Sequence, residues 1–199
     1  MKGKRNDRDF AALTLRLAIG PMLVAHGCNK LFGKGGIEGT QRWFAGLGLR
    51  PAWLHARLAA ATEIGSGTLL ALGALGPLPN MAVVGLMATA AATDHRGKGF
   101  FVFKGGWEYV AVVGAAATAL AGLGNGRWSL DHLLGRRRPT GPKVALATAG
   151  AGLVNAAALL AACYRPEPKD QPAAAPPAPA EPAAAAATPG PSSVEEAAS

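Results

Sequence analysis

Six ionisable residues stand inside or beside long apolar runs of the chain, where charged side chains are costly. Such a group in the middle of a membrane span costs roughly 2.5–3.5 kcal/mol on insertion scales, so it is usually paired and often functional. Glu63 and Arg16 lie deepest and could pair with each other, or Arg16 could pair with Asp131 instead. Such a pair can carry a proton, bind a ligand or fix the register of two helices. The six residues are Arg16, His26, Lys30, Glu63, Glu108 and Asp131.

A second group of reactive side chains lies near the end of the first apolar run. His26 and Lys30 are four residues apart and therefore share one helix face. A histidine titrates near neutral pH and suits proton transfer, although an interfacial histidine can be purely structural. The ammonium group of Lys30 can equally extend to the lipid headgroups. Cys28 is either a redox thiol or a small apolar filler, and a bridge to Cys163 is an alternative. No spacing typical of a metal site occurs.

Five long stretches with very few charged residues must position these side chains. A bilayer core is ~30 Å thick and needs roughly 20 residues of helix, down to ~17. Backbone polar groups must be satisfied internally in lipid, and no segment alternates like a barrel strand, so each stretch is predicted to be a helix. Because Arg16 interrupts the first run, we expect it to be a retained helix and not a cleaved signal. The stretches are 10–29, 53–75, 77–93, 107–124 and 143–163.

The predicted fold is an all-α polytopic membrane protein. An antiparallel four-helix transmembrane bundle is followed by a fifth, C-terminal transmembrane helix and a disordered tail. The tail is rich in Ala, Pro and Glu and cannot bury a core. Between the helices we predict an interfacial turn at 40–44, where aromatic residues cluster, and a short amphipathic piece at 127–135. The predicted boundaries are a basic cytoplasmic arm at 1–9, the bundle at 10–135, a basic linker with the fifth helix at 136–164, and the tail at 165–199.

The distribution of charge argues for a lipid bilayer and against nucleic acid as the partner. The formal net charge is +8, but the basic residues flank the apolar runs, where they set topology and meet anionic headgroups. The basic N-terminal arm and the arginines at 136–138 favour a cytoplasmic N-terminus, although the opposite loops are basic too. Alternation of the helices brings most of the polar residues to one membrane face whichever way the protein inserts. Arg16 and Asp131 fall toward the other face.

Several short motifs occur together in a characteristic order. Residues 15–20 precede His26-Gly27 and Lys30-Leu31-Phe32. Further motifs follow at 39–49, 63–67, 105–109 and 128–131. In this order and spacing the chain resembles the DoxX family over about residues 9–135, whereas the fifth helix and the tail depart from the family's compact four-helix form.

The resemblance implies a bacterial inner-membrane protein with a role in membrane-associated redox processes. One related branch is the membrane subunit of thiosulfate:quinone oxidoreductase. Other members are associated with a complex of superoxide dismutase and a sulfurtransferase in thiol and oxidative-stress homeostasis. Quinone and protein partners in a membrane complex are the implied ligands. The six ionisable residues would be the family-type polar set.

Three functions remain open at this point. The first is a membrane subunit of a redox-linked assembly that handles quinone or thiols. The second is a small-solute or proton-coupled transporter that uses Glu63 and Arg16, against which stand the short chain and the lack of a clear inverted repeat. The third is a non-catalytic scaffold that holds partners through the fifth helix, the loop at 100–103 and the tail. Whether the protein is itself an enzyme is left open.

Overall fold

The computed structural model describes residues 2–166, and this part of the chain contains α-helices and no strand. The prediction of an all-α protein is therefore confirmed for these residues. The predicted tail lies outside them from residue 167 onward. The helices are α1 (Lys2–Phe32), α2 (Gly36–Gly46), α3 (Ala52–Leu72), α4 (Leu78–Thr93), α5 (Glu108–Leu123), α6 (Leu130–Leu133) and α7 (Pro142–Cys163).

Two of the described helices are long and apolar enough to cross a membrane. They are α1, over Asn6–Phe32, and α7, over Pro142–Cys163. α4 and α5 are apolar but have 16 residues each, which corresponds to about 24 Å of helix. α3 is long enough at 21 residues but too polar by the same measure. The fifth apolar stretch is thus confirmed as a helix of membrane-spanning length.

The predicted boundaries differ from the observed ones in three places. α1 begins at Lys2 and not near residue 10, because Asp9 holds its first turns in place by binding Arg127 at 2.8 Å. The second long helix ends at Leu72, where Gly73 adopts a left-handed conformation with φ of 68° and closes the helix. The interpretation of residues 40–44 as a turn is wrong, because they belong to α2, which buries Phe44 against α3.

α1 and α3 cross at very close range because both carry glycine at the contact. A Cβ atom placed on Gly20 would lie 2.7 Å from the carbonyl oxygen of Gly67. A Cβ on Gly67 would lie 2.6 Å from the carbonyl oxygen of Gly20. Small residues allow such an approach of two backbones in lipid, where packing and not the hydrophobic effect holds helices together. This crossing fixes the relative positions of the polar side chains that α1 and α3 carry.

Replacing Gly67 by alanine is expected to destabilise the protein, because the new methyl group would collide with backbone atoms that cannot move aside. Overpacking of this kind costs about 1–3 kcal/mol. Gly65→Ala is the matched control, since no atom lies within 4 Å of a Cβ at that position and alanine favours a helix by roughly 0.5–1 kcal/mol over glycine. Thermal unfolding in mild detergent should show a lower Tm for Gly67→Ala only. A lowered Tm for both variants would contradict close packing as the cause.

α7 packs against α4 and α5 and is anchored at its C-terminal end. A Cβ atom on Gly152 would lie 2.8 Å from Met81 O and from Val84 Cβ, so α7 and α4 are in close contact. Beyond the helix, the N–H of Arg50 donates to Cys163 O at 2.9 Å, and the N–H of Arg165 donates to Gly48 O at 2.7 Å. These bonds attach the end of α7 to the connection between α2 and α3. α7 therefore completes a wall of the site described next.

Candidate functional site: an amphipathic pocket between the helices

A pocket of about 390 Å³ lies between α1, α2, α3, α4, α5 and α7. Most of its wall is apolar and includes Leu58, Leu86, Met87 and Leu159. Polar side chains of α1, α3, α4, α5, α7 and the loop after α4 interrupt this apolar wall. Pockets that bind small molecules generally have roughly 300–1,000 Å³, a mainly apolar lining and a few well-placed polar groups. The polar lining residues include His26, Lys30, His55, Thr62, Glu63, Thr89, Thr93, Asp94, His95, Tyr109 and Asn155.

The strongest electrostatic feature of the pocket is an ion pair between α1 and α3. Lys30 Nζ donates to both carboxylate oxygens of Glu63, at 2.8 Å and 2.7 Å. The side chains are only 14% and 7% exposed. Short charge-assisted hydrogen bonds between buried groups are strong, and removing one partner leaves the other charge buried and unpaired. The predicted pairing of Glu63 with Arg16 is wrong, because the cation that binds Glu63 is Lys30.

A histidine and a tyrosine form the second polar element. The hydroxyl oxygen of Tyr109 lies 3.3 Å from His26 Nε2, within hydrogen-bond distance, and the two rings are 5.7 Å apart. The Tyr109 hydroxyl also lies 3.5 Å from Met22 Sδ. His26 lines the pocket yet is exposed, so the pocket is open on this side. A phenol and an imidazole in contact can donate, accept and transfer a proton to a bound polar group.

The end of α4 and the loop that follows it contribute further polar groups. Asp94 lies 3.1 Å from Lys98 and 3.9 Å from His95. His95 Nδ1 lies 2.6 Å from the carbonyl oxygen of Gly105, which holds the ring against the start of α5. Both Asp94 and His95 line the pocket. Together with His26, Lys30 and Glu63, these residues give the pocket lining two carboxylates and a lysine beside its histidines.

Arg16 lies outside the pocket and is occupied by backbone carbonyl groups. Its guanidinium donates to Leu70 O at 2.9 Å, to Ala71 O at 2.7 Å, and to the carbonyl oxygens of Asn125 and Trp128 at 2.8 Å each. The first two carbonyls end α3 and the other two follow α5. Arg16 is only 2% exposed. Within residues 2–166 it forms no ion pair with Glu63 or with Asp131, so both predicted pairings of Arg16 are wrong.

Asp131 lies at the same end of the helices as Arg16 and binds the turn between α3 and α4. Its carboxylate accepts from Gly76 N at 2.7 Å and from Asn125 Nδ2 at 3.0 Å, and Arg138 approaches to 3.4 Å. Burial acts to raise the pKa of the Asp131 carboxyl. The bond from Gly76, the charge of Arg138 and the amide of Asn125 outweigh it, so the pKa lies below its ordinary value. The carboxylate therefore stabilises the fold in its charged form.

Asp131→Asn is expected to lower the Tm at pH 7 and to have a smaller effect near pH 3. Because folding lowers the pKa of Asp131, its contribution is complete above the unfolded value of about 3.9 and is lost as the pH falls through the folded value. Unfolding curves of the wild type and of Asp131→Asn from pH 7 to pH 3 test this, with the exposed Asp7→Asn as control. A difference in Tm that stays constant over that range would contradict the assignment.

The remaining predicted residues have local contacts. Glu108 accepts from the backbone N–H of Val102 at 3.0 Å and so orders the loop before α5. Cys28 is half-buried, does not line the pocket and is a free cysteine, as is Cys163. The structure thus brings His26, Lys30 and Glu63 together and leaves Glu108 and Cys28 nearby. Arg16 and Asp131 lie at the opposite end of the helices.

Tyr109, His55 and Asn155 are among the pocket residues that the sequence analysis did not predict as site residues. Tyr109 follows Glu108 at the start of α5, and a tyrosine at the polar end of an apolar helix was the available signal. His55 lies one helical turn into α3, and its Nε2 lies 3.2 Å from Arg50 O, a carbonyl oxygen that can accept a hydrogen bond from it. Asn155 belongs to α7, which the sequence analysis places outside the four-helix core. Among residues 2–166 there is no group of three or more His, Cys, Asp or Glu that could hold a metal ion.

The described part of the chain thus defines an all-helical protein of the membrane type, with an amphipathic pocket between its helices. Residues 11–96 match the model of the DoxX family, which supports the resemblance described from the sequence. The matched segment contains α2, α3 and α4, most of α1, and the pocket residues His26, Lys30 and Glu63. No curated protein and no solved structure was found to match the chain.

Proposed function

We propose that the protein is the membrane subunit of a redox-linked assembly and that its pocket binds the headgroup of a membrane quinone. The observation that carries this proposal is the pairing of an apolar wall with two proton-carrying elements, His26–Tyr109 and Lys30–Glu63, in one pocket of about 390 Å³. A quinone ring needs such a combination, because its faces are apolar and its two carbonyl oxygens accept hydrogen bonds.

The donors of the pocket suit the two ends of such a ring. The Tyr109 hydroxyl and the His26 imidazole, 3.3 Å apart, can each donate a hydrogen bond. The Lys30 ammonium group has three N–H donors, and it donates to both carboxylate oxygens of Glu63. Leu58 and Trp43 line the pocket and are 48% and 45% exposed, so the edge of the pocket carries exposed apolar side chains.

Bound quinone would supply the redox chemistry, since it takes up two electrons and two protons to become a quinol. The electrons would come from a partner subunit that oxidises a pair of thiols to a disulfide, which also releases two protons. The residues of this chain would orient the ring and hold the protons at the Tyr109 hydroxyl, the His26 imidazole and the Lys30–Glu63 pair. The apolar wall would exclude water from these groups.

The membrane arrangement that fits this function is an antiparallel transmembrane bundle of α1, α3, α4 and α5, joined by α7 as a fifth span. We place the N-terminus in the cytoplasm of a bacterial cell, because the basic residues at 136–138 and those before α1 then follow the positive-inside rule. The pocket would then lie toward the opposite face of the inner membrane. Its redox partner would dock on that face.

Tyr109→Phe is expected to weaken the binding of a short-chain quinone about two- to twelvefold, since one hydrogen bond contributes about 0.5–1.5 kcal/mol. The phenyl ring keeps the wall of the pocket, so the Tm should change little. The chain has one other tyrosine, Tyr164, which does not line the pocket. Tyr164→Phe is therefore the matched control, and its affinity should equal that of the wild type.

Titration of the purified full-length protein with the quinone, followed by calorimetry, measures both affinities. Equal binding by Tyr109→Phe and the wild type would contradict the proposed role of the hydroxyl. No binding by any of the three proteins would contradict the quinone site itself.

A proton-coupled transporter is the second candidate, and the buried Lys30–Glu63 pair favours it, because intramembrane ion pairs often mark ion or solute pathways. The two functions differ in a liposome assay. A transporter carrying Glu63→Gln should lose proton-driven solute uptake, whereas a quinone-binding subunit shows no uptake in either form.

A further inference from the structure

A second cavity lies at the end of the helices opposite the quinone pocket. It has a volume of about 750 Å³ and lies between the start of α1, the loop from α5 to α6 and residues 136–140. Four arginines line it, and the proposed quinone site makes no use of them. The charged residues of its lining are Arg8, Asp9, Asp131, Arg136, Arg137 and Arg138, and they define the arginine groove.

The charges of this arginine groove do not cancel. Asp9 is bound by Arg127 at 2.8 Å, and Asp131 is approached by Arg138 at 3.4 Å. Arg136 and Arg137 are exposed, and their side chains make no hydrogen bond or ion pair with another residue of the described range 2–166. The lining therefore holds four arginines against two aspartates. The arginines and aspartates of the lining therefore sum to a charge of +2, and the guanidinium groups of Arg136 and Arg137 are positioned to bind an anion.

Apolar side chains stand beside the groove. Trp128 is 53% exposed, Leu133 is 81% exposed and Leu134 is 54% exposed. Trp128 precedes α6 by two residues, Leu133 ends it and Leu134 follows it, shortly before the arginines in the chain. Tryptophan and leucine at such a position favour the boundary between headgroups and acyl chains. An anion that also offers acyl chains would satisfy both halves of this surface.

We infer that the arginine groove binds the phosphodiester headgroup of an anionic phospholipid, with Arg136 and Arg137 on the phosphate oxygens. A guanidinium group binds phosphate through two parallel hydrogen bonds, which makes arginine well suited to this role. Basic pockets between membrane helices are known to take anionic lipid headgroups. Trp128, Leu133 and Leu134 would contact the acyl chains. The site is independent of the quinone pocket.

The test uses the full-length protein in mild detergent, titrated with cardiolipin and observed by native mass spectrometry. We expect Arg136→Ala/Arg137→Ala to bind cardiolipin about tenfold more weakly than the wild type. The matched control is Arg42→Ala/Arg96→Ala, which removes two exposed arginines from the opposite end, and its affinity should stay within about twofold. Phosphatidylcholine, which has no net charge, should bind all three proteins equally weakly.

Two results would overturn the inference. Equal losses of cardiolipin in the two double variants would mean that lipid binding follows total charge and not the groove. Displacement of cardiolipin by millimolar inorganic phosphate would mean that the groove binds free phosphate and not a lipid. Since the readout is lipid binding alone, failure of the quinone proposal would leave this outcome unchanged.

Discussion

Arg16→Met is expected to lower the free energy of unfolding by about 3–5 kcal/mol, because buried carbonyl oxygens lose their donor at about 1–3 kcal/mol each and such losses add incompletely. The guanidinium serves four backbone carbonyl oxygens in two segments, at 2.7–2.9 Å. Methionine fills much of the space but donates nothing, so those carbonyls lose their charged partner in a buried place. Denaturation of the purified protein in mixed micelles measures the change.

Arg42→Met is the control for Arg16→Met, because Arg42 is exposed and the substitution should alter stability by less than about 0.5 kcal/mol. Arg16→Lys adds a second comparison. A single ammonium group cannot bind the carbonyls at the end of α3 and those after α5 together. The stability of this variant should therefore lie between those of the wild type and Arg16→Met. A stability of Arg16→Met equal to that of Arg42→Met would show that the carbonyl contacts do not hold α1, α3 and the α5–α6 loop together.

Lys30→Met is expected to lower the free energy of unfolding by about 3–5 kcal/mol, because it leaves the carboxylate of Glu63 buried without its cation. Glu63→Gln should cost less, since the amide can still accept a bond from the lysine. The double variant Lys30→Met/Glu63→Gln removes both charges and should be more stable than Lys30→Met alone. A double-mutant cycle on the same denaturation curves gives the coupling energy, and additive losses would contradict a direct interaction.

The same variants separate stability from function. The double variant should recover stability while its affinity for a short-chain quinone stays below that of the wild type, because the donor and the charge are gone. Full recovery of quinone affinity in the double variant would mean that the ion pair only fixes the helix register. That outcome would leave His26 and Tyr109 as the proposed binding groups.

The long helices could be predicted from the sequence because apolar length is a strong signal. The five apolar stretches correspond to α1, α3, α4, α5 and α7, and the ends that differ depend on single residues. Gly73 closes α3 early because a glycine can take a left-handed conformation there. α2 was harder to foresee, since its glycines and exposed Trp43 resemble a loop at the interface.

The site could be predicted only in part, since side-chain partners depend on distances that the chain order does not contain. Alternation of the helices correctly brings His26, Lys30 and Glu63 to one end. It does not reveal that Lys30 reaches Glu63, or that the partners of Arg16 are backbone carbonyls, which carry no signature in the sequence. The contribution of α7 to the pocket follows from its packing on α4 and could not be inferred from its composition.

Photolabelling with an azido-quinone tests the central claim most directly. The full-length protein in mild detergent is irradiated with the probe, digested, and its labelled peptides are identified by mass spectrometry. The account predicts label on the α1, α3 and α5 peptides that contain Lys30, Glu63 and Tyr109, and loss of that label when unmodified quinone is added in excess. Label confined to other helices, or label that excess quinone does not reduce, would contradict it.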